Sequence, residues 1–149
     1  MFDATQDRLA RILDLSNQLA EATTDESLQS KLGQSRSNAI GEQFWCIVGA
    51  RESYSEAIQI GSWQGFSCSL NSETVFKRWS VVDAMRTSKA TAVDSVSGLL
   101  EFDRDGPRLQ FIFDLWEHEA QHQGQLIRYF YANDIEFPEE FRIRYNLVQ

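Results

Sequence analysis

The chain has 149 residues, 42% hydrophobic and 12% aromatic with two prolines, which is apolar enough for one domain with a sizeable core and too apolar for a disordered segment. A net charge of −8 with no run of Lys or Arg argues against nucleic acid and against an anionic membrane surface as partners, since both need a cationic face. The start Met1-Phe2-Asp3-Ala4-Thr5-Gln6-Asp7 is acidic and polar, unlike a secretory signal, and no stretch approaches the roughly 20 apolar residues of a membrane span; a cytoplasmic protein with two free thiols, Cys46 and Cys68, is expected.

In residues 3–21 the apolar positions Leu9, Ile12, Leu13, Leu19 and Ala20 recur with a helical period, and Asp3 followed by Gln6 resembles a capping box. Residues 23–37 are polar, contain Gly33, and read as a connection with at most a short helical turn. A second helix is predicted over 38–60, with a main stripe of Ile40, Phe44, Ile47, Arg51, Tyr54 and Ile58. Beside it runs a stripe of small residues, Ala39, Cys46, Ala50, Ser53 and Ala57, which leaves space next to Cys46. Residues 61–70 form a turn-rich crossover, after which Asn71 or Ser72 is expected to cap a third helix. That helix carries Val75, Phe76, Trp79, Val82, Met85, Val93 and Val96 on one side and is predicted to end near Gly98.

Asp105-Gly106-Pro107 is a restart signal, because Pro is favoured at the first helical position. The fourth helix is predicted to run to about Asn133, apolar over the wide arc Leu109, Ile112, Phe113, Trp116, Ala120, Ile127 and Phe130. A neighbouring line holds Phe111, Leu115, His118, His122, Leu126 and Tyr129. The tail, 135–149, has Pro138 and then Phe141, Ile143, Tyr145 and Leu147, and is expected to pack on the bundle as an extended or briefly helical strap. Amphipathic helices with no strand pattern and no internal repeat predict a single all-α domain over 1–149, a four-helix bundle.

The chain's two histidines, His118 and His122, lie four residues apart, so their side chains stand on one helix face, a turn apart. Imidazole suits zinc, nickel, copper or ferrous iron far better than calcium or magnesium. Two ligands are too few for a tight site, so a third must come from another helix. The plainer alternative is a partly buried, hydrogen-bonded pair; Leu115 and Leu126 on the same line turn the pair inward, where an idle imidazole needs a partner. The sequence has no Walker-type phosphate loop, no Gly-x-Ser-x-Gly elbow, no Cys-x-x-Cys, and lacks the pair of Glu-x-x-His units of a di-iron bundle.

The segment Ile40-Gly41-Glu42-Gln43-Phe44-Trp45-Cys46, followed by Val48-Gly49-Ala50-Arg51-Glu52-Ser53-Tyr54, resembles the second helix of DinB-like bundle proteins. The run His118-Glu119-Ala120-Gln121-His122-Gln123-Gly124-Gln125-Leu126 resembles their fourth. The resemblance covers nearly the full chain in helix order, and these two segments are its specific parts. Members of the family bind a divalent metal, often zinc or nickel, through one His of the second helix and two of the fourth. The resemblance therefore implies His118 and His122 as the fourth-helix pair and puts Cys46 at the second-helix ligand position, in place of the usual His. Gln123 stands where an Arg is common.

One Cys and two His with an open fourth position is a known catalytic zinc arrangement, and metal binding would hold the thiol deprotonated. Cys46 read without the resemblance is equally a small buried thiol among small residues. Glu42, one turn earlier, is an alternative ligand or proton acceptor, or simply an exposed helix carboxylate. Glu117 and Glu119 flank the His pair but point away by about 100° per residue, and are expected in solvent or behind the ligands. Cys68 is expected to be a spectator.

The family includes metal-dependent transferases that move low-molecular-weight thiols onto electrophiles, and hydrolase-like members. The resemblance thus implies a metal-dependent enzyme, a thiol partner and a homodimer, with Trp45, Trp63, Phe111 and Trp116 as pocket walls or plain core. Other members are metal-binding stress proteins without an assigned reaction, and a third reading is a helical interaction module whose site has decayed. Whether Cys46, His118 and His122 converge within reach of one ion separates these readings.

Overall fold

The helical periods of the sequence become five α-helices and two 3-10 turns in the computed structural model, which describes residues 2–97, 99 and 106–148. Four long helices, α1 (Phe2–Glu21), α2 (Ile40–Ile60), α3 (Arg78–Ser97) and α4 (Pro107–Ala132), form an all-α bundle; a short α5 (Glu139–Tyr145) follows. No strand occurs among the described residues. α2 packs against α3 and α4, α1 packs mainly against α3, and α5 rests on α1. None of these helices is long and apolar enough to cross a membrane. Gly98 and Asp105, the expected helix end and restart, lie outside the described residues.

Several local expectations need correction. α1 already contains Phe2, so Asp3 sits within its first turn instead of capping it. Asn71 does act as a cap, its Oδ1 accepting the N–H groups of Glu73 and Thr74 at 2.9 and 3.0 Å, but it caps a 3-10 turn, Thr74–Phe76, and not a long helix. Lys77 is extended, with φ −110° and ψ 110°, and separates that turn from α3. Val75 is still buried, delivered by the turn, whereas Trp79 on the first turn of α3 is 72% exposed. Phe113, placed in the apolar arc of α4, also faces solvent. The strap is helical: Phe141 of α5 is buried and stacks on Phe137, which in turn stacks on Phe130.

Two close approaches fix how the crossover between α2 and α3 lies. Gly61 ends α2 at φ +90°, a left-handed value that glycine adopts without penalty, and its N–H donates to the Ala57 carbonyl at 2.7 Å. Arg108, in the first turn of α4, donates from Nε to the Ile58 carbonyl at 2.8 Å, satisfying an end that would otherwise leave carbonyls unpaired. Further back on α2, a Cβ on Gly49 would stand only 2.2 Å from the Phe66 ring, so the ring lies directly on the helix backbone. The crossover is thereby laid along α2 next to Trp45 and Cys46, with Trp45 and Phe66 rings 4.9 Å apart.

Along the bundle axis the interior alternates in character. One apolar cluster contains Leu15, Leu19, Phe44, Ile47, Met85, Leu126 and Phe130; another contains Leu9, Leu13, Ile58, Ala92, Val96, Ile112 and Leu115. Between them every long helix contributes buried polar groups: Ser16 and Asn17 of α1, Arg51 and Ser55 of α2, Ser88 of α3, Glu119 and Gln123 of α4. Arg51 is fully buried and all its N–H groups are used. It pairs with Glu119 through Nε at 3.1 Å and Nη2 at 2.5 Å. Its other contacts are the Leu13 carbonyl, Asn17 Oδ1 and the Met85 carbonyl, at 2.8, 2.8 and 2.9 Å. One side chain thus ties together all four long helices.

Candidate metal centre

The polar layer is also where the sequence-predicted ligands meet. On α4 the four-residue spacing stacks His118 and His122 with ring centroids 4.5 Å apart, on a line continued inward by the buried Leu115, Leu126 and Tyr129. α2 packs along this face and brings Cys46 opposite, its Sγ 3.5 Å from His118 Nε2. One ligand atom from each of Cys46, His118 and His122 lies within 4.8 Å of the others. In a tetrahedral zinc site, bond lengths of about 2.0–2.3 Å put neighbouring ligand atoms about 3.3–3.7 Å apart. The Cys46–His118 pair is at that separation already. The three residues lie close enough together to hold a metal ion.

His122 is held by a hydrogen-bond chain that fixes its tautomer. Tyr129 donates its hydroxyl proton to the Asn38 carbonyl at 2.8 Å, so its oxygen accepts from Gln43 Nε2 at 3.4 Å. That turns Gln43 Oε1 toward His122 Nδ1 at 2.8 Å, and an amide oxygen can only accept. The proton therefore sits on Nδ1, leaving the Nε2 lone pair free for a ligand bond, the partner arrangement usual behind metal-bound histidines. His118 has no comparable support. Its Nδ1 is buried without a hydrogen-bond partner among the described residues, so no hydrogen bond there sets its tautomer, and its Nε2 is the nitrogen that faces Cys46.

Burial also sets the charge states. It lowers the His122 pKa to about 4, with His118 adding to the effect. His118 is lowered by burial, opposed by Glu119 and reinforced by Arg51. Both imidazoles are thus neutral at pH 7, the form that binds metal. Burial pushes the Cys46 thiol up, so it gives up a proton only to a partner that stabilises the thiolate.

Beside Cys46 opens a cleft of about 420 Å³, walled by Trp45, Val75 and Phe76 with Asn38, Glu42 and Ser72 among its polar lining. Of the four aromatics considered as pocket walls, only Trp45 lines it. Trp63 and Phe111 pack on Tyr54 instead, and Trp116 lies under Arg8.

The carboxylates stand apart from the cluster. Glu42 is exposed and its Oε2 accepts the N–H of Ala39, the N-cap residue of α2, at 2.6 Å, so its carboxylate serves the capping of that helix. Glu117 is exposed as expected, but Glu119 is fully buried against Arg51, because α4 is covered on that side by the polar layer. Glu119-Ala120-Gln121-His122 is a single Glu-x-x-His unit, and its carboxylate is committed to the guanidinium. Cys68 donates its S–H to the Trp45 carbonyl at 3.3 Å, and burial raises its pKa to about 11, which suits a spectator thiol. Gln123 fills its position as a structural group: Nε2 donates to the Ile12 carbonyl and to Ser16 Oγ, and Oε1 accepts from the Tyr145 hydroxyl. Gln43 is the site residue that sequence reasoning missed; its signal was the three-residue offset from Cys46, which places both on one face of α2.

Comparison of the chain with protein-family models, curated proteins and solved structures finds no match.

Proposed function

We propose that this chain is a DinB-like, divalent-metal-dependent enzyme that transfers a low-molecular-weight thiol to an electrophile, or carries out a related hydrolysis, with zinc or nickel held by Cys46, His118 and His122. The observation that carries this reading is the convergence of the three ligand atoms within 4.8 Å beside an apolar cleft that has Cys46 on its wall. A structural metal would be closed off by a fourth protein ligand; here no further His, Cys, Asp or Glu joins the group among the described residues, and the neighbouring space is a cleft. When bound, a metal there supplies a Lewis acid that lowers the pKa of a thiol or water in its open position. The chain's own groups do the rest: Gln43 keeps the His122 proton on Nδ1, and Trp45, Val75 and Phe76 present an apolar wall to the body of an electrophile. Convergence also disfavours a module with a decayed site, in which the three side chains would have no reason to meet.

The test is turnover of an aryl chloride with cysteine or glutathione by zinc- or nickel-loaded protein. A metal-dependent rate that disappears in His122→Ala and survives in Cys46→His is the expected result. A loaded protein that is no faster than the metal-free chain with either thiol would overturn the transferase reading and leave a metal-binding protein without this turnover.

A further inference from the structure

Fourteen basic residues are set against twenty-two acidic ones, and the partnered cations are distributed one by one along the helices: Lys77 with Asp25, Arg86 with Glu21, Lys89 with Asp14, Arg51 with Glu119. Of the basic residues outside these pairs, three exposed arginines are gathered at one place. Arg8 and Arg11 of α1 and Arg144 of α5 converge on one cavity of about 310 Å³ between α1, α4 and α5. No carboxylate lies within 4 Å of any of them among the described residues. Three like charges at one mouth repel each other unless an anion joins them, and in a chain of net charge −8 such a concentration is locally opposite to the whole.

The cavity has an apolar side as well. Its walls include Ile12, Leu15 and the rings of Trp116 and Tyr145. Arg8 is pre-positioned over Trp116, its Cζ 5.4 Å from the ring centroid. Tyr145 is anchored by donating its hydroxyl to Gln123, so its ring is a fixed wall and not a competing donor. Guanidinium groups match carboxylate and phosphate oxygens in pairs, and a volume near 300 Å³ is at the small end of ligand pockets. A long polyanion is disfavoured by the surrounding negative charge.

We infer that the cavity between α1, α4 and α5 binds a small organic anion, a carboxylate or phosphate monoester with a flat apolar body, its charge held by Arg8, Arg11 and Arg144 and its body against Trp116 and Tyr145. This site shares no residue with the metal centre, so it is tested on metal-free protein and stands or falls separately.

The experiment is calorimetric titration of the full chain in chelator with 1-naphthoate, 1-naphthyl phosphate, neutral 1-naphthalenemethanol and inorganic phosphate. Both naphthyl anions should bind with Kd of about 1 mM or tighter, and their relative affinity tells carboxylate from phosphate as the preferred head. The neutral analogue and inorganic phosphate should each bind at least about tenfold more weakly, since each lacks one half of the recognition. Arg8→Ala/Arg144→Ala should lose at least about tenfold with unchanged helical CD, while Arg144→Lys keeps part of the affinity. In the unaltered chain, added salt should weaken the anions and spare the alcohol, a readout independent of any variant. Equal binding of the alcohol, equal binding of inorganic phosphate, an unaffected double variant, or no naphthyl-anion binding would each overturn the inference.

Discussion

Burial drives the three clustered side chains of the candidate site toward opposite charge states: the imidazoles are held neutral, while the thiol is held protonated. The consequence is a specific pH dependence. With both imidazole pKa values lowered by burial, His122 to about 4, the pair is largely neutral at pH 7 and above and contributes little to proton release there. Cys46, with a pKa above 9.0, must release one proton for each metal bound. Zinc affinity should therefore rise by at least about tenfold per pH unit from about pH 7 to 8.5, with at least one proton released per ion in buffers of different ionisation enthalpy, a water in the open position adding to both. In Cys46→His that slope should flatten; a slope unchanged by the substitution would mean that another group supplies the proton. The histidine pair was legible from its spacing alone, and their inward orientation from Leu115 and Leu126. Cys46 was not: among small residues a thiol reads as filler, and only the resemblance placed it at a ligand position. Gln43 was hidden for a related reason, since a glutamine on a helix is ordinarily solvated and its burial depends on Tyr129 and Asn38, distant in sequence.

At the scale of elements, the helices are joined by a polar layer as much as by apolar packing. Arg51 reaches α1, α3 and α4 from α2, and removing its buried counter-charge leaves a guanidinium without compensation. Glu119→Ala should cost about 3–5 kcal/mol in urea unfolding. Glu21→Ala, which breaks the exposed pair with Arg86, should cost less than about 1 kcal/mol. Equal and small effects of the two would show that the layer carries no special weight. An arginine within the stripe Ile40, Phe44, Ile47, Tyr54 and Ile58 was the visible sign of this layer, but the sequence did not show which carboxylate would meet it. Helix spans followed from periodicity with two failures of mechanism. Val75 and Phe76 fit a helical period although a 3-10 turn presents them, because periodicity records which residues are buried and not the backbone that delivers them. Trp79 was placed inside because a large aromatic at the right spacing looks like core; it stands on the first turn of α3 and is exposed, although Val82 and Met85 of the same helix are buried.

Over the whole molecule, two apolar clusters flank the polar layer, and a cleft opens at the surface beside Cys46. That placement lets a bundle of this size hold polar and ionic groups without losing its core. It also puts the candidate ligands on the two helices that Arg51 and Glu119 already join, so the bundle presents α2 to α4 before any ion arrives. A preformed centre should therefore take up metal without a change in fold. The direct measurement is metal stoichiometry by elemental mass spectrometry, after exposure to zinc or nickel under reducing conditions and removal of excess, for the unaltered chain, Cys46→Ala and His122→Ala. About one ion per chain is expected, sharply reduced in both variants, with the helical CD of all three alike. No bound metal in the unaltered chain, or full occupancy in His122→Ala, would rule out the Cys46-His118-His122 centre.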